Sequence, residues 1–74
     1  MTPRQSRMAR AALGWSRVVA ARKMRIAHNT LVNFETGRYA GEPETRAAIR
    51  RVYEEAGIML TDRGIEVVGR SLVQ

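Results

Sequence analysis

The segment that most constrains this chain is RVVAARKMRIAHNTLVNFETG, residues 17–37, which reads as two short helices joined by a tight turn. Ser16 is placed to cap the first helix, over residues 17–24, and Gly37 closes the second, over about residues 28–36. Ile26 plugs the corner between them. Ala21 is small where two helices cross closely, while Met24, Ile26, Leu31 and Phe34 fall at spacings that turn them toward one shared core. The second helix then carries an outward stripe of His28, Asn29, Val32, Asn33 and Thr36.

Helices are expected on both sides of this pair. Thr2 with Gln5 three positions later, and Pro3 at the first helical position, forms a capping-box start, and Gly14 supplies a stop, so a helix is predicted over residues 3–13. Its inward stripe by periodicity is Gln5, Met8, Ala9, Ala12 and Leu13, with Arg4, Arg7 and Arg10 mostly facing elsewhere. Pro43 opens a further helix in which Thr45, Ala48, Ile49, Val52, Tyr53 and Ala56 share one face until Gly57 ends it. After Gly57 the period drops to two: Ile58 and Leu60, a turn at Thr61 to Gly64, then Ile65 and Val67. A β-hairpin is predicted, with Asp62 and Arg63 in a type I turn and Gly64 left-handed. Such a hairpin is marginal alone, so it should pack on the helices or pair with a second copy. Residues 69–74 read as a loose tail. The resulting division is a helical unit over residues 1–57 and a hairpin with tail over residues 58–74.

Size and charge narrow the function. Seventy-four residues make one small domain of marginal stability, and the absence of cysteine removes disulfides and thiolate metal sites as supports. No apolar run has the length of a membrane span or the layout of a signal peptide, so a soluble, cytoplasmic protein with no membrane partner is expected. The net charge of +6 is divided unevenly, about +7 over residues 1–38, where Glu35 is the only acid, and −1 over residues 39–74. A basic half beside a neutral half suits a polyanion such as nucleic acid, although a solvated basic face has the same composition. His28 has no second histidine and no cysteine for company, so no metal is expected. No activated nucleophile or paired carboxylate supports an enzyme, and no cofactor or small-molecule ligand is evident.

The sequence resembles the phage-repressor-like helix-turn-helix family that contains Cro, lambda repressor and the XRE regulators. The match covers about residues 2–58. It is carried by Thr2, Pro3, Gln5, Arg7, Ala9, Arg10, Ala11, Leu13, Gly14, Trp15 and Ser16, then Ala21, Ile26, Thr30, Leu31, Phe34, Glu35 and Gly37, and last by Pro43, Thr45, Ala48, Ile49, Ala56 and Gly57. The family usually has Gln, Leu and Gly where this chain has Arg17, Ala20 and Arg25. The resemblance implies an all-α, lambda-repressor-like domain of four helices with a short C-terminal β-hairpin. It also implies a sequence-specific regulator of double-stranded DNA, typically a homodimeric repressor in a bacterial or phage setting.

With the helix of residues 28–36 in the major groove, His28, Asn29, Val32 and Asn33 face base edges, with Ala27 at the margin. Asparagine suits the N6 and N7 edge of adenine and valine a thymine methyl, so A·T pairs are expected in each half-site. The competing reading of the same stripe is a solvent-facing polar surface. Arg17, in the first turn of the helix over residues 17–24, is the leading phosphate contact, with Arg22, Lys23, Arg25, Thr36, Arg38 and Tyr39 as further candidates. The alternative for Arg17 is an exposed side chain of negligible effect. Arg25 at the corner costs on the order of 1–2 kcal/mol if it adopts the left-handed shape. The resemblance implies a structural ion pair between Arg10 and Glu35. Trp15 is expected to be a core plate, and the methionines ordinary packing. Ile58, Leu60, Ile65, Val67 and Leu72 are the apolar residues most available for a dimer contact, unless they cover the domain's own core. The rival function is a protein-binding module, an antitoxin or antiactivator, on the same fold.

Overall fold

Each helix begins and ends on a chemical signal, and those signals set the architecture. A computed structural model describes residues 1–68, in the order α1 Pro3–Leu13, α2 Arg17–Met24, α3 His28–Glu35, α4 Pro43–Glu55, β1 Ile58–Leu60 and β2 Ile65–Val67. The capping box at α1 is complete: the Gln5 amide donates to Thr2 Oγ1 at 3.1 Å and the Thr2 amide donates to Gln5 Oε1 at 2.8 Å. Gly14 ends α1 in the left-handed region, and Ser16 Oγ accepts the Val19 amide at 3.1 Å to start α2. Among the described residues no helix is long and apolar enough to cross a membrane.

The corner between α2 and α3 keeps the glycine-type shape without a glycine. Arg25 has φ 60° and ψ 41°, the only non-glycine among the described residues with a positive φ. The Ile26 amide donates to the Ala21 carbonyl at 3.1 Å, so the turn closes tightly at that cost in backbone energy. α3 stops one residue earlier than its periodicity suggests. Thr36 Oγ1 turns back to donate to the Val32 carbonyl at 2.9 Å, so this residue caps the helix instead of extending it.

The core gathers one strip from each element: Ala9 of α1, Ala20, Ala21 and Met24 of α2, Leu31 and Phe34 of α3, Ile49 and Tyr53 of α4, and Ile58 of β1. Trp15 is half-buried and stacks on Tyr53, with ring centroids 6.1 Å apart. The inward seam of α1 differs from the periodic expectation. Met8 and Ala12 are exposed, whereas Ser6 is fully buried beside Gln5 and Ala9. The helix is rotated so that Ser6 and Arg10 meet Glu35 of α3.

The hairpin pairs Ile58 with Val67, Met59 with Glu66 and Leu60 with Ile65, and it packs on α1 and α4. Its turn is built differently from the prediction, because Gly64 is not left-handed. The Thr61 amide donates to the Gly64 carbonyl at 3.0 Å, and the return bond from the Gly64 amide ends on the Thr61 hydroxyl, also at 3.0 Å. Gln5 Nε2 then donates to the Thr61 and Gly64 carbonyls at 2.6 and 3.0 Å. One side chain thus caps the first helix and latches the last turn. Gln5→Leu, which keeps volume and removes both functions, is expected to lower unfolding stability by about 1–3 kcal/mol, read as a shift in urea midpoint at unchanged slope.

Candidate nucleic-acid interface

α3 owes its orientation to three inward residues, Leu31, Phe34 and Glu35, all buried. At 100° per residue, His28, Asn29, Val32, Asn33 and Thr36 then fall within an arc of about 140° that begins beside Glu35 and faces away from Leu31 and Phe34. His28, Asn29 and Thr36 are exposed, Val32 and Asn33 are half-buried, and Ala27 is exposed at the entry to the helix. The eight residues of α3 span about 12 Å, close to three or four base-pair steps.

Beneath that face lies a polar cluster on one carboxylate. Glu35 is 1 % exposed and is gripped from two sides. Arg10 reaches Oε1 through Nη2 at 2.8 Å and Oε2 through Nε at 2.9 Å, and Ser6 Oγ donates to Oε2. Arg17 Nε donates to Oε1 at 2.9 Å, and Arg7 Nη1 donates to the Glu35 backbone carbonyl. Tyr53 Oη lies 2.9 Å from Ser6 Oγ and donates to the Ser6 carbonyl at 3.2 Å, which brings α4 into the cluster. Every buried side-chain polar atom among the described residues has a partner. Sequence reasoning missed Ser6, Tyr53 and the inward turn of Arg17. The available signal was Glu35 itself, a lone acid among eight cations in residues 1–38.

The remaining candidate phosphate contacts divide into two groups. Arg22, Arg25 and Arg38 are exposed, and among the described residues none of their guanidiniums donates to a protein acceptor. Lys23 stands with Nζ 5.1 Å from the Trp15 ring centroid, and the Tyr39 hydroxyl accepts the Glu42 amide at 3.2 Å beside the start of α4. In the neutral half, Arg50 pairs with Glu54 along α4 at 2.9 Å, an exposed pair of little energetic weight. The excess of positive charge lies in residues 1–38, where eight cations face one acid. Among the described residues no group of three or more His, Cys, Asp or Glu side chains is placed to hold a metal ion.

Of the proposed dimer residues, Ile58 is a buried core residue and is not available to a partner, because β1 lies against α4. Leu60 and Ile65 are half-buried, Val67 is 49 % exposed, and Leu72 lies outside the described residues. Met59, on the opposite hairpin face, is 50 % exposed and was not anticipated. Compared with protein-family models, curated proteins and solved structures, the chain shows no match.

The cluster makes stability depend on pH from both ends. Burial alone would raise the Glu35 pKa, but the hydrogen bonds from Arg10, Ser6 and Arg17 outweigh it and hold the carboxyl below its ordinary 4.5. Stability from Glu35 is thus present above about pH 4.5 and lost as pH falls through the lower folded value. Tyr53 runs the other way. Burial pushes its phenol up to about 12, so its contribution is complete below pH 10 and lost as pH rises toward 12. Glu35→Ala, which strands Arg10 and Arg17, is expected to cost about 3–5 kcal/mol in urea unfolding at neutral pH and to flatten the acid limb. Tyr53→Phe should flatten the alkaline limb alone.

Proposed function

We propose that this chain is a sequence-specific double-stranded DNA-binding transcription regulator of the phage-repressor-like helix-turn-helix type. It acts as a homodimeric repressor with residues 28–36 in the major groove of each half of an inverted repeat. The observation that carries this reading is the face of α3. His28 and Asn29 are exposed and Val32 and Asn33 half-exposed, on a helix held to the core by Leu31, Phe34 and Glu35, and among the described residues the guanidiniums of Arg22, Arg25 and Arg38 meet no protein acceptor. Asn29 and Asn33 suit adenine edges, Val32 a thymine methyl, and the arginines the phosphates that set register.

One helix of this length covers too few base pairs for useful specificity, so two copies about 34–36 Å apart are required. Met59 and Val67 on the hairpin are the exposed apolar groups suited to joining them. The neutral charge of residues 39–74 lets that end of two copies approach without the repulsion the basic half would impose.

A protein-binding role, as an antitoxin or antiactivator, draws support from α2. Val18 is 48 % exposed and Val19 is exposed beside it, an apolar surface that a protein partner would cover. A salt-sensitive, sequence-selective mobility shift with the DNA upstream of the protein's own gene supports the regulator. Co-purification of a protein partner together with indifference to DNA supports the module.

Asn29→Ala and Asn33→Ala are each expected to cost about 1–3 kcal/mol on the preferred duplex and almost nothing on a mixed-sequence duplex, measured by fluorescence anisotropy. Equal losses on both would reject base reading. Arg25→Gly should raise unfolding stability by about 1 kcal/mol while weakening binding to every duplex, because it relieves the left-handed strain and removes a phosphate donor.

A further inference from the structure

We propose that Arg17 is a bridging cation, with Nε–H holding Glu35 inside the protein and its two Nη groups holding a phosphodiester oxygen of bound DNA. This rests on the DNA-binding reading and adds to it a link between the backbone contact and the interior carboxylate. The guanidinium is a rigid fork of five N–H donors, and a single edge of it is used within the protein. Nε donates to Glu35 Oε1 at 2.9 Å, while among the described residues no acceptor meets Nη1 or Nη2. The side chain is 35 % exposed, against 16 % for Arg10 and none for Glu35, so the unused edge belongs to the member of the cluster nearest solvent.

Charge points the same way. One carboxylate faces both Arg10 and Arg17, which leaves a surplus of one positive charge. Arg10 uses Nε and Nη2 on that carboxylate and Nη1 on the Trp15 carbonyl at 3.2 Å, so its donors are committed to the protein. The surplus is therefore accessible through Arg17. A phosphodiester anion neutralises it without breaking the internal pair, because the end-on hydrogens of Nη1 and Nη2 point away from the Nε–H that holds Glu35.

Position turns this into a device. Arg17 is the first residue of α2 and Glu35 the last of α3, so their bond ties the start of one helix to the end of the helix proposed to read bases. A phosphate held on the outer edge of Arg17 is placed at a fixed offset from the outward face of α3. Glu35 touches no DNA in this scheme and acts as a positioning residue through Arg17.

The test separates this scheme from simple electrostatics. Removing a negative charge should by Coulomb's law strengthen binding to a polyanion, whereas the bridge requires Glu35→Gln to weaken it. Lysine keeps the charge of Arg17 but lacks the fork, so Arg17→Lys is the second variant, and it carries the test if Glu35→Gln does not fold. Affinities of the full chain for a selected duplex and for a mixed-sequence duplex are measured across a salt series, with urea unfolding as the check on folding. Arg17→Lys is expected to weaken both duplexes about tenfold and to lower the salt slope by about one at unchanged net charge. Folded Glu35→Gln is expected to weaken both duplexes severalfold, and to have no such effect in an Arg17→Ala background. An Arg17→Lys protein that binds like the parent, or that loses stability with its affinity and salt slope intact, overturns the bridge and leaves the DNA-binding reading standing. A parent protein that binds neither duplex overturns both.

Discussion

The carboxylate of Glu35 is the point on which the helices agree. It is almost wholly excluded from water, and a charge so placed is tolerated only when its lone pairs are filled by positioned donors. Those donors come from two other helices, Ser6 and Arg10 of α1 and Arg17 of α2, and Ser6 hands the network on to Tyr53 of α4. Apolar side chains can slide past one another at small cost. A carboxylate held by two guanidiniums and a hydroxyl cannot, so the rotation of α1 and the tilt of α3 are set by hydrogen-bond geometry as well as by packing. The exposed side of α3 follows from its inward residues together, since Leu31 and Phe34 turn toward the core and leave Asn29 facing outward.

Local chemistry made most of the fold legible. Thr2, Pro3 and Gln5 announce a helix start that the chain then forms, and Ser16, Gly14, Pro43 and Gly57 punctuate the rest where their side chains or backbone freedom require. Periodicity failed where a distant polar partner outbid it. A serine at position 6 between two arginine-bearing turns reads as surface, yet it is fully buried because its hydroxyl meets a carboxylate 29 residues away. The same blindness hid the double use of Gln5, whose amide group meets carbonyls 56 and 59 residues further on. Gly64 was expected to be left-handed because glycine after Asp-Arg suits that turn, but the Thr61 hydroxyl accepts the Gly64 amide and shapes the turn another way. Of the stripe expected on α3, His28, Asn29 and Thr36 are exposed, as the helical repeat suggests, while Val32 and Asn33 are half-buried. The inward turn of Arg17 was not legible, because it depends on where two helices cross.

Charge and strain bear on what the exposed face of α3 is for. The second half of the chain balances its cations with six acids, one pair of which, Arg50 and Glu54, meets along α4, while the basic half directs only Arg7, Arg10 and Arg17 toward Glu35. Arg22, Arg25 and Arg38 are left facing outward. Arg25 is the most informative of these. It sits in a backbone conformation that glycine would occupy without strain, and among the described residues its side chain meets no acceptor that would offset the cost. A surface chosen only for solubility gains nothing from an arginine there, since neighbouring positions carry positive charge without strain. An arginine at the corner between α2 and α3 is useful to a polyanion that lies along that corner while α3 enters its groove. The strained arginine and the amide stripe are the two features that support the proposal of a nucleic-acid partner.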